Sequence, residues 1–278
     1  MLKNNYHTHT YYCNHAIGTV MDYIKKAIEL GFEEIGMSDH APIPKHFMDE
    51  ESYIDNWCQE NMSIDTAYQY LDDIDEAKKK FGNKIKILKA FETEYLPKQI
   101  EFYKMLRKNA DYLNVGIHYF EDRNGKIVNS YDSIDYTNVM DYVNVAIMAM
   151  SEGIFNCLVH PDLFMYAYKS RQGIREFDDL CVKATKMICE AAIKYDVYLE
   201  INANGIKNSL NHGYPDSDNY LYPYKKFWEI ARTYKDLKII IGADAHNPLH
   251  LGNKTVQMAI EFAENLGINV LPKMEVKH

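Results

Sequence analysis

Two histidines separated by one residue, His7 and His9, open the chain in the run HTHT. On an extended strand, residues i and i+2 project to the same side, so both imidazoles can grip one cation. Asp244 and His246 repeat that spacing near the other end of the chain. Between these pairs stand His15, His40, Glu92, His118 and His160, each at or just beyond the end of an apolar run. Imidazole and carboxylate together suit zinc, manganese or iron better than calcium or magnesium, which prefer all-oxygen shells. Glu92 adds a further capacity, because a carboxylate has two oxygens and can bridge two ions. An isolated HxH pair is weak evidence for a site, and any one histidine at a strand end can be a hydrogen-bonded structural residue. Nine such residues at one phase of a repeating unit are not explained that way. Glu94 shares a face with Glu92 and is open to three readings: a substrate contact, a ligand, or the partner of a ligand histidine. Cys13, between His9 and His15, reads as a small buried residue. His46, His212, His250 and His278 lack the phase and read as surface or supporting residues.

The unit that repeats is an apolar strand followed by an amphipathic helix. Strands are expected over Asn5–His9, Glu34–Ser38, Ile85–Glu92, Tyr112–His118, Phe155–His160, Val197–Asn202 and Lys238–Ala243. Most read as continuous apolar or β-branched runs, which suits parallel strands buried on both faces. In the first helix Thr19 is placed to cap, Val20, Tyr23, Ile24, Ala27 and Ile28 form one stripe, and Gly31 ends it. Further helices are expected over Ile64–Phe81, Lys98–Asn109, Thr137–Glu152, Phe177–Tyr195, Pro223–Tyr234 and Lys254–Leu266. Seven strand–helix units imply a barrel of parallel strands, with a short eighth strand expected at Ile268–Leu271. The C-terminal ends of such strands gather on one face, so all nine ligand-type residues converge there.

The 278 residues fit one domain spanning 1–278, since barrels of this size are ordinary single domains. A net charge of −9 without a basic stripe argues against nucleic acid as a partner. Five scattered cysteines without a CxxC pair argue against a disulfide framework and for a reducing compartment. With no apolar leader and no run long enough to span a bilayer, a cytoplasmic protein without membrane contact is expected.

HTHTYYCNHAIGT (7–19), GMSDHAP (36–42), FETEYLP (91–97), VGIHYF (115–120), LVHPDL (158–163), LEINANGIK (199–207) and GADAHNP (242–248) together resemble the polymerase-and-histidinol-phosphatase (PHP) superfamily. The length and the SDHAP form are similar to its stand-alone histidinol-phosphate phosphatase branch. The resemblance implies a distorted (β/α)7 barrel of PHP type with three divalent metal ions (Zn, Mn or Fe). It implies one ion held by His7, His9, Glu92 and Asp244, and a second by His15, His40 and His246. A third would take His118 and His160, with Glu92 bridging it to the first. The implied reaction is hydrolysis of a small phosphate monoester, with L-histidinol phosphate as substrate in histidine biosynthesis. Glu92, Asp244 and His246 are the expected catalytic residues.

The branch commonly carries Gly-Leu-Arg where this chain reads Gly205-Ile206-Lys207. Lysine can hold phosphate as a point charge but cannot make the bidentate fork. Arg171 and Arg175 are the alternatives for that fork, and Glu94 is the residue expected to meet a cationic amine or imidazole. Three competing readings stand: a phosphoesterase acting on a nucleotide or other small ester, a metal-dependent amidohydrolase, and a non-catalytic metal-binding module. The amidohydrolase lacks an evident lysine to carboxylate and bridge the metals.

Overall fold

The computed structural model describes residues 2–43 and 60–276. His46, Cys58 and His278 lie outside the described residues. Strands β1 (Asn4–Asn5), β2 (Glu34–Met37), β3 (Lys86–Thr93) and β4 (Tyr112–Val115) come first. An antiparallel hairpin, β5 (Tyr119–Glu121) with β6 (Ile127–Asn129), interrupts the alternation before β7 (Cys157–Leu158), β8 (Tyr198–Asn202) and β9 (Ile239–Gly242). The seven strands outside the hairpin form one parallel sheet in the order β1-β2-β3-β4-β7-β8-β9. Its two edges meet through a parallel bridge between Thr8 and Ala245 and the bond from His9 N to Ala245 O, 2.9 Å. The result is a barrel, distorted where the first and last strands touch. The expected eighth strand is not formed: Val270 makes a single bridge to Ile239.

Helices α1 (Val20–Glu29), α2 (Ile64–Phe81), α3 (Ile100–Asn109), α4 (Val139–Ser151), α5 (Asp179–Lys194), α6 (Ala203–Asn211), α7 (Lys225–Ala231) and α8 (Lys254–Asn265) accompany the sheet. Thr19 caps α1 as expected, in a reciprocal capping box with Asp22. The outward face of the strands, including Ile87, Phe91, Leu113, Leu199 and Ile241, packs with helix residues such as Ile24, Ile74 and Phe262 in the main core. The inward face forms a second core of Tyr6, Leu88, Ala90, Tyr112, Cys157, Val159, Tyr198 and Ile240, joined by Met274 from the C-terminal segment. Both faces are therefore buried, as the continuous apolar runs require.

The strands are shorter than the apolar runs. β4 stops at Val115 rather than His118, and β7 at Leu158 rather than His160. Among the residues left beyond the ladder are the ligand-type His118 and His160. There the backbone is free to adopt angles a ladder forbids: His160 (φ 34) and Asp244 (φ 47) lie in the left-handed region. Such angles cost roughly 1–3 kcal/mol and persist where the surroundings over-determine them.

Candidate metal centre

Period-two alternation sets the site. Leu88 and Ala90 point into the barrel, and Glu92 continues the same face of β3; Tyr198, Glu200 and Asn202 do so on β8. The barrel is thus apolar below and lined by carboxylates and imidazoles above.

The nine ligand-type residues meet in this upper layer. Glu92 Oε2 lies 3.1 Å from His7 Nε2, 3.3 Å from His9 Nε2 and 3.3 Å from His40 Nδ1. Its other oxygen lies 3.1 Å from His160 Nε2 and 3.4 Å from His118 Nε2. Asp244 Oδ1 lies 3.0 Å from His9 Nε2 and 3.6 Å from His7 Nε2. His15 joins through its Nε2, 3.1 Å from that of His246, whose ring stacks on His9. Gly116 makes room for this packing: a Cβ there would stand 2.6 Å from Glu92 Oε1 and 2.7 Å from His118 Cε1.

Three observations test whether these residues fit metal ions. Nitrogens sharing one tetrahedral zinc at roughly 2.0–2.1 Å stand about 3.3 Å apart. His118 Nε2 and His160 Nε2 are 3.2 Å apart, close to that spacing, as is the His15–His246 pair. His9 Nε2 and Asp244 Oδ1 are close neighbours, yet both are buried and neither has a hydrogen-bond partner. Two facing buried ligand atoms without other partners are suited to a shared cation. Finally, Glu92, Glu94, Asp39, Glu200 and Asp244 are all buried, and their ion pairs among the described residues are with histidines, none with Lys or Arg. The residues fit.

The electrostatics agree. Burial opposes ionisation of Glu92, but His7 and His118, with the hydrogen bond from His160, outweigh it and hold the carboxyl well below its usual range. Burial likewise opposes ionisation of Asp244, and His7 and His9 outweigh it. For His7, burial is overcome by Glu200, Asp244 and Glu92, which draw positive charge onto the ring. A field that favours a proton there favours a metal cation too. Burial and the neighbouring His9 push His40 well below its ordinary value and His246 down to about 3. Both rings are neutral at physiological pH, the state in which imidazole ligates.

Behind the ligands stands a layer of carboxylates. Glu94 Oε1 lies 2.5 Å from His118 Nδ1, while Oε2 accepts the backbone N–H groups of His118 (3.1 Å) and Tyr119 (3.2 Å). Both oxygens are engaged, so of the three readings of Glu94 the structure favours the partner of a ligand histidine over the substrate contact. Asp39 approaches His9 Nδ1 at 3.5 Å and accepts from His40 N and from Thr10. Glu200 lies 2.8 Å from His7 Nδ1. Asn202 and Asn204 donate to Asp244 Oδ2 at 3.1 and 3.3 Å. Sequence reading missed Asp39, Glu200 and both asparagines. The available signal was a lone carboxylate in the apolar strand YLEIN, in register with inward Tyr198.

The centre opens into a cleft of about 420 Å³, whose lining includes Tyr119, Tyr131, Asn204, Lys207 and Asn208. A larger cavity of about 780 Å³, lined by the β5–β6 hairpin and the segment after it, contains none of the ligand residues. Lys207 is the one Lys or Arg lining the cleft among the described residues. It is presented by α6, a helix that the Asn- and Gly-containing run ANGIKNSLN did not announce.

Two expected phosphate clamps do not reach the cleft. Arg175 donates to the carbonyls of Met165, Tyr220 and Leu221, and its guanidinium lies over Tyr214 and Tyr224. Arg171 is exposed and lies over Tyr136. Each is engaged by neighbouring segments rather than by the site. Tyr119 lines the cleft, whereas Tyr166 bonds His212 and meets Tyr131 edge-on. Tyr131 in turn stacks on His118. Cys13 is buried, its thiol donating to Thr10 O.

Comparison with known proteins follows the same lines. A histidinol-phosphatase of Bacillus subtilis (strain 168) is 22% identical over 277 residues, covering 91% of this chain and 96% of that protein. A solved histidinol phosphate phosphatase of Lactococcus lactis, complexed with zinc, L-histidinol and phosphate, superposes with a TM-score of 0.70 at 16% identity, covering 99% of this chain and 100% of that one. A Listeria monocytogenes structure gives 0.71 at 20% identity, covering 92% and 99%. The PHP domain family model matches residues 5–204, which takes in every strand from β2 to β8 and seven of the nine convergent residues. With that match over well more than half of its length, the chain belongs to the PHP domain family.

Proposed function

We propose that this chain hydrolyses phosphate monoesters at a three-ion centre, with L-histidinol phosphate as substrate and L-histidinol and phosphate as products. The observation that carries the reading is Glu92, one oxygen facing His7, His9 and His40 and the other facing His118 and His160. In this reading His7, His9, Glu92 and Asp244 hold one ion, His15, His40 and His246 a second, and His118, His160 and Glu92 a third. Zinc, manganese and iron all suit the donor set. When bound, such ions supply an activated water and neutralise the phosphoryl oxygens. Zinc, histidinol and phosphate in the Lactococcus structure, and the name of the Bacillus relative, support the substrate.

The chain's own residues do the rest. Lys207 offers the phosphate a point charge from the cleft wall. Tyr119 and Tyr131 bound the space left for the organic part of the ester. His246 Nδ1 is turned to the Asp244 carbonyl, and Asp244 Oδ1 faces His9 and His7, so both are placed as ligands.

Turnover of a panel of phosphomonoesters by protein of measured metal content tests the reading. Histidinol phosphate is expected to show the highest kcat/KM. Preference for a nucleotide or an aryl phosphate overturns the substrate, and no turnover with a filled centre indicates a non-catalytic module. Lys207→Ala should lower kcat/KM for every ester by about tenfold to a hundredfold, the loss of one charge-assisted contact worth ~1–3 kcal/mol. Glu94→Ala should reduce histidinol phosphate and a neutral aryl phosphate to the same degree, since it acts through His118. A loss confined to histidinol phosphate would return Glu94 to the role of substrate contact.

A further inference from the structure

Glu200 is a carboxylate in the middle of β8 with 1% of its side chain exposed, and no Lys or Arg pairs with it among the described residues. A buried carboxylate in that position persists only if both oxygens are hydrogen-bonded. Both are. Oε1 lies 2.8 Å from His7 Nδ1, and Oε2 accepts the backbone N–H of His160 at 3.2 Å and Asn202 Nδ2 at 2.9 Å. Space for it comes from the neighbouring strand, where a Cβ on Gly242 would fall 1.6 Å from Oε1. The barrel wall is thus cut away to admit this one side chain.

The two bonds have different consequences. A neutral imidazole carries one N–H, and an acceptor at Nδ1 holds the proton there. The Nε2 lone pair of His7 is then directed at the centre, where Glu92 Oε2 lies at 3.1 Å and Asp244 Oδ1 at 3.6 Å. The second bond grips the peptide N–H of His160, a residue in the left-handed region at φ 34, and so fixes the angle from which its ring enters. Glu94 acts on His118 and the next peptide alone, and Asp39 reaches His9 only at 3.5 Å while it accepts from the backbone of His40. Glu200 reaches His7 and His160, which the proposed centre assigns to different ions.

We propose that Glu200 is a positioning residue of the metal centre, setting the tautomer of His7 and the backbone of His160 and thereby the spacing of two ion sites. This rests on the three-ion reading above. Glutamine cannot replace it: an amide oxygen can accept from His7, but its NH2 then faces the N–H of His160 and the NH2 of Asn202, donor against donor. Outer partners of this kind typically change metal affinity by about tenfold to a hundredfold.

The test uses full-length wild-type and Glu200→Gln protein loaded with zinc, then dialysed against a graded chelator, with retained ions counted by elemental analysis. Glu200→Gln is expected to release at least one ion at a free-zinc concentration about tenfold to a hundredfold higher than wild type. A folded variant with the wild-type release curve overturns the inference alone. A wild-type chain that holds no zinc overturns the metal centre and the inference with it. The second measurement needs no variant: a long-range 1H–15N spectrum of the zinc-loaded wild type should show His7 protonated at Nδ1. Protonation at Nε2 overturns the proposal.

Discussion

Glu92→Gln is expected to lower kcat by about a thousandfold or more while the barrel still folds. Glutamine has nearly the same shape, so the packing against Gly116 and the inward core is retained. What it lacks is the charge and the second anionic oxygen. Five imidazoles lie within 3.4 Å of the two carboxylate oxygens, three on one and two on the other. An amide can turn its oxygen to one set and must then present NH2 to the other, a donor where a ligand is required. Ions bound on that side would lose a bridging anion, and with it part of the charge that would hold them at the spacing hydrolysis needs. Steady-state turnover beside ion content and melting temperature checks this. Near-normal turnover would mean that Glu92 does not bridge.

The second large effect is expected on metal removal. Exhaustive chelation should bring activity to background, and readdition of zinc or manganese should restore it. Stability should fall at the same time, because ions that bind the folded chain and not the unfolded one stabilise it by mass action. At a thousandfold excess over Kd, one site contributes about 4 kcal/mol. For a chain of this size each kcal/mol moves the melting temperature by roughly 2–4 °C. A drop on the order of 10 °C per tightly held ion is therefore expected by calorimetry. The carboxylates explain the direction: without cations, buried Glu92 and Asp244 have only histidines as ion-pair partners among the described residues. Activity and melting temperature unchanged after verified removal of metal would exclude the metal centre from both roles.

Much of this architecture is legible in the chain. Parallel strands buried on both faces must be apolar throughout, so β2, β3, β8 and β9 announce themselves as runs, and polar residues at their ends stand out. The HTH and DAH pairs, SDH, FETE and the histidines after β4 and β7 give the convergent residues. The limits of legibility have a physical cause as well. Strand length depends on where the neighbour stops, so the ladder ends at Val115 and Leu158 although the apolar runs continue. Helix α6 has weak intrinsic propensity and forms with its Ala203, Gly205, Ile206 and Ser209 face buried. Arg171 and Arg175 had the right charge and the wrong surroundings: local carbonyls and tyrosine rings hold them away from the cleft.

What the sequence determined by itself is the kind of chemistry and the face on which it occurs. Residue type and strand phase are local properties, and they are enough to say that imidazoles and carboxylates gather at one end of a barrel. What only the tertiary structure decided is which atom meets which: Glu94 behind His118, Glu200 behind His7, Lys207 on the cleft wall. Those pairings join residues as far apart in the chain as His7 and Glu200, across strands whose register and barrel closure fix a few tenths of an ångström. Spacing along a sequence carries no such information, because a hydrogen bond is set by distance and angle in space.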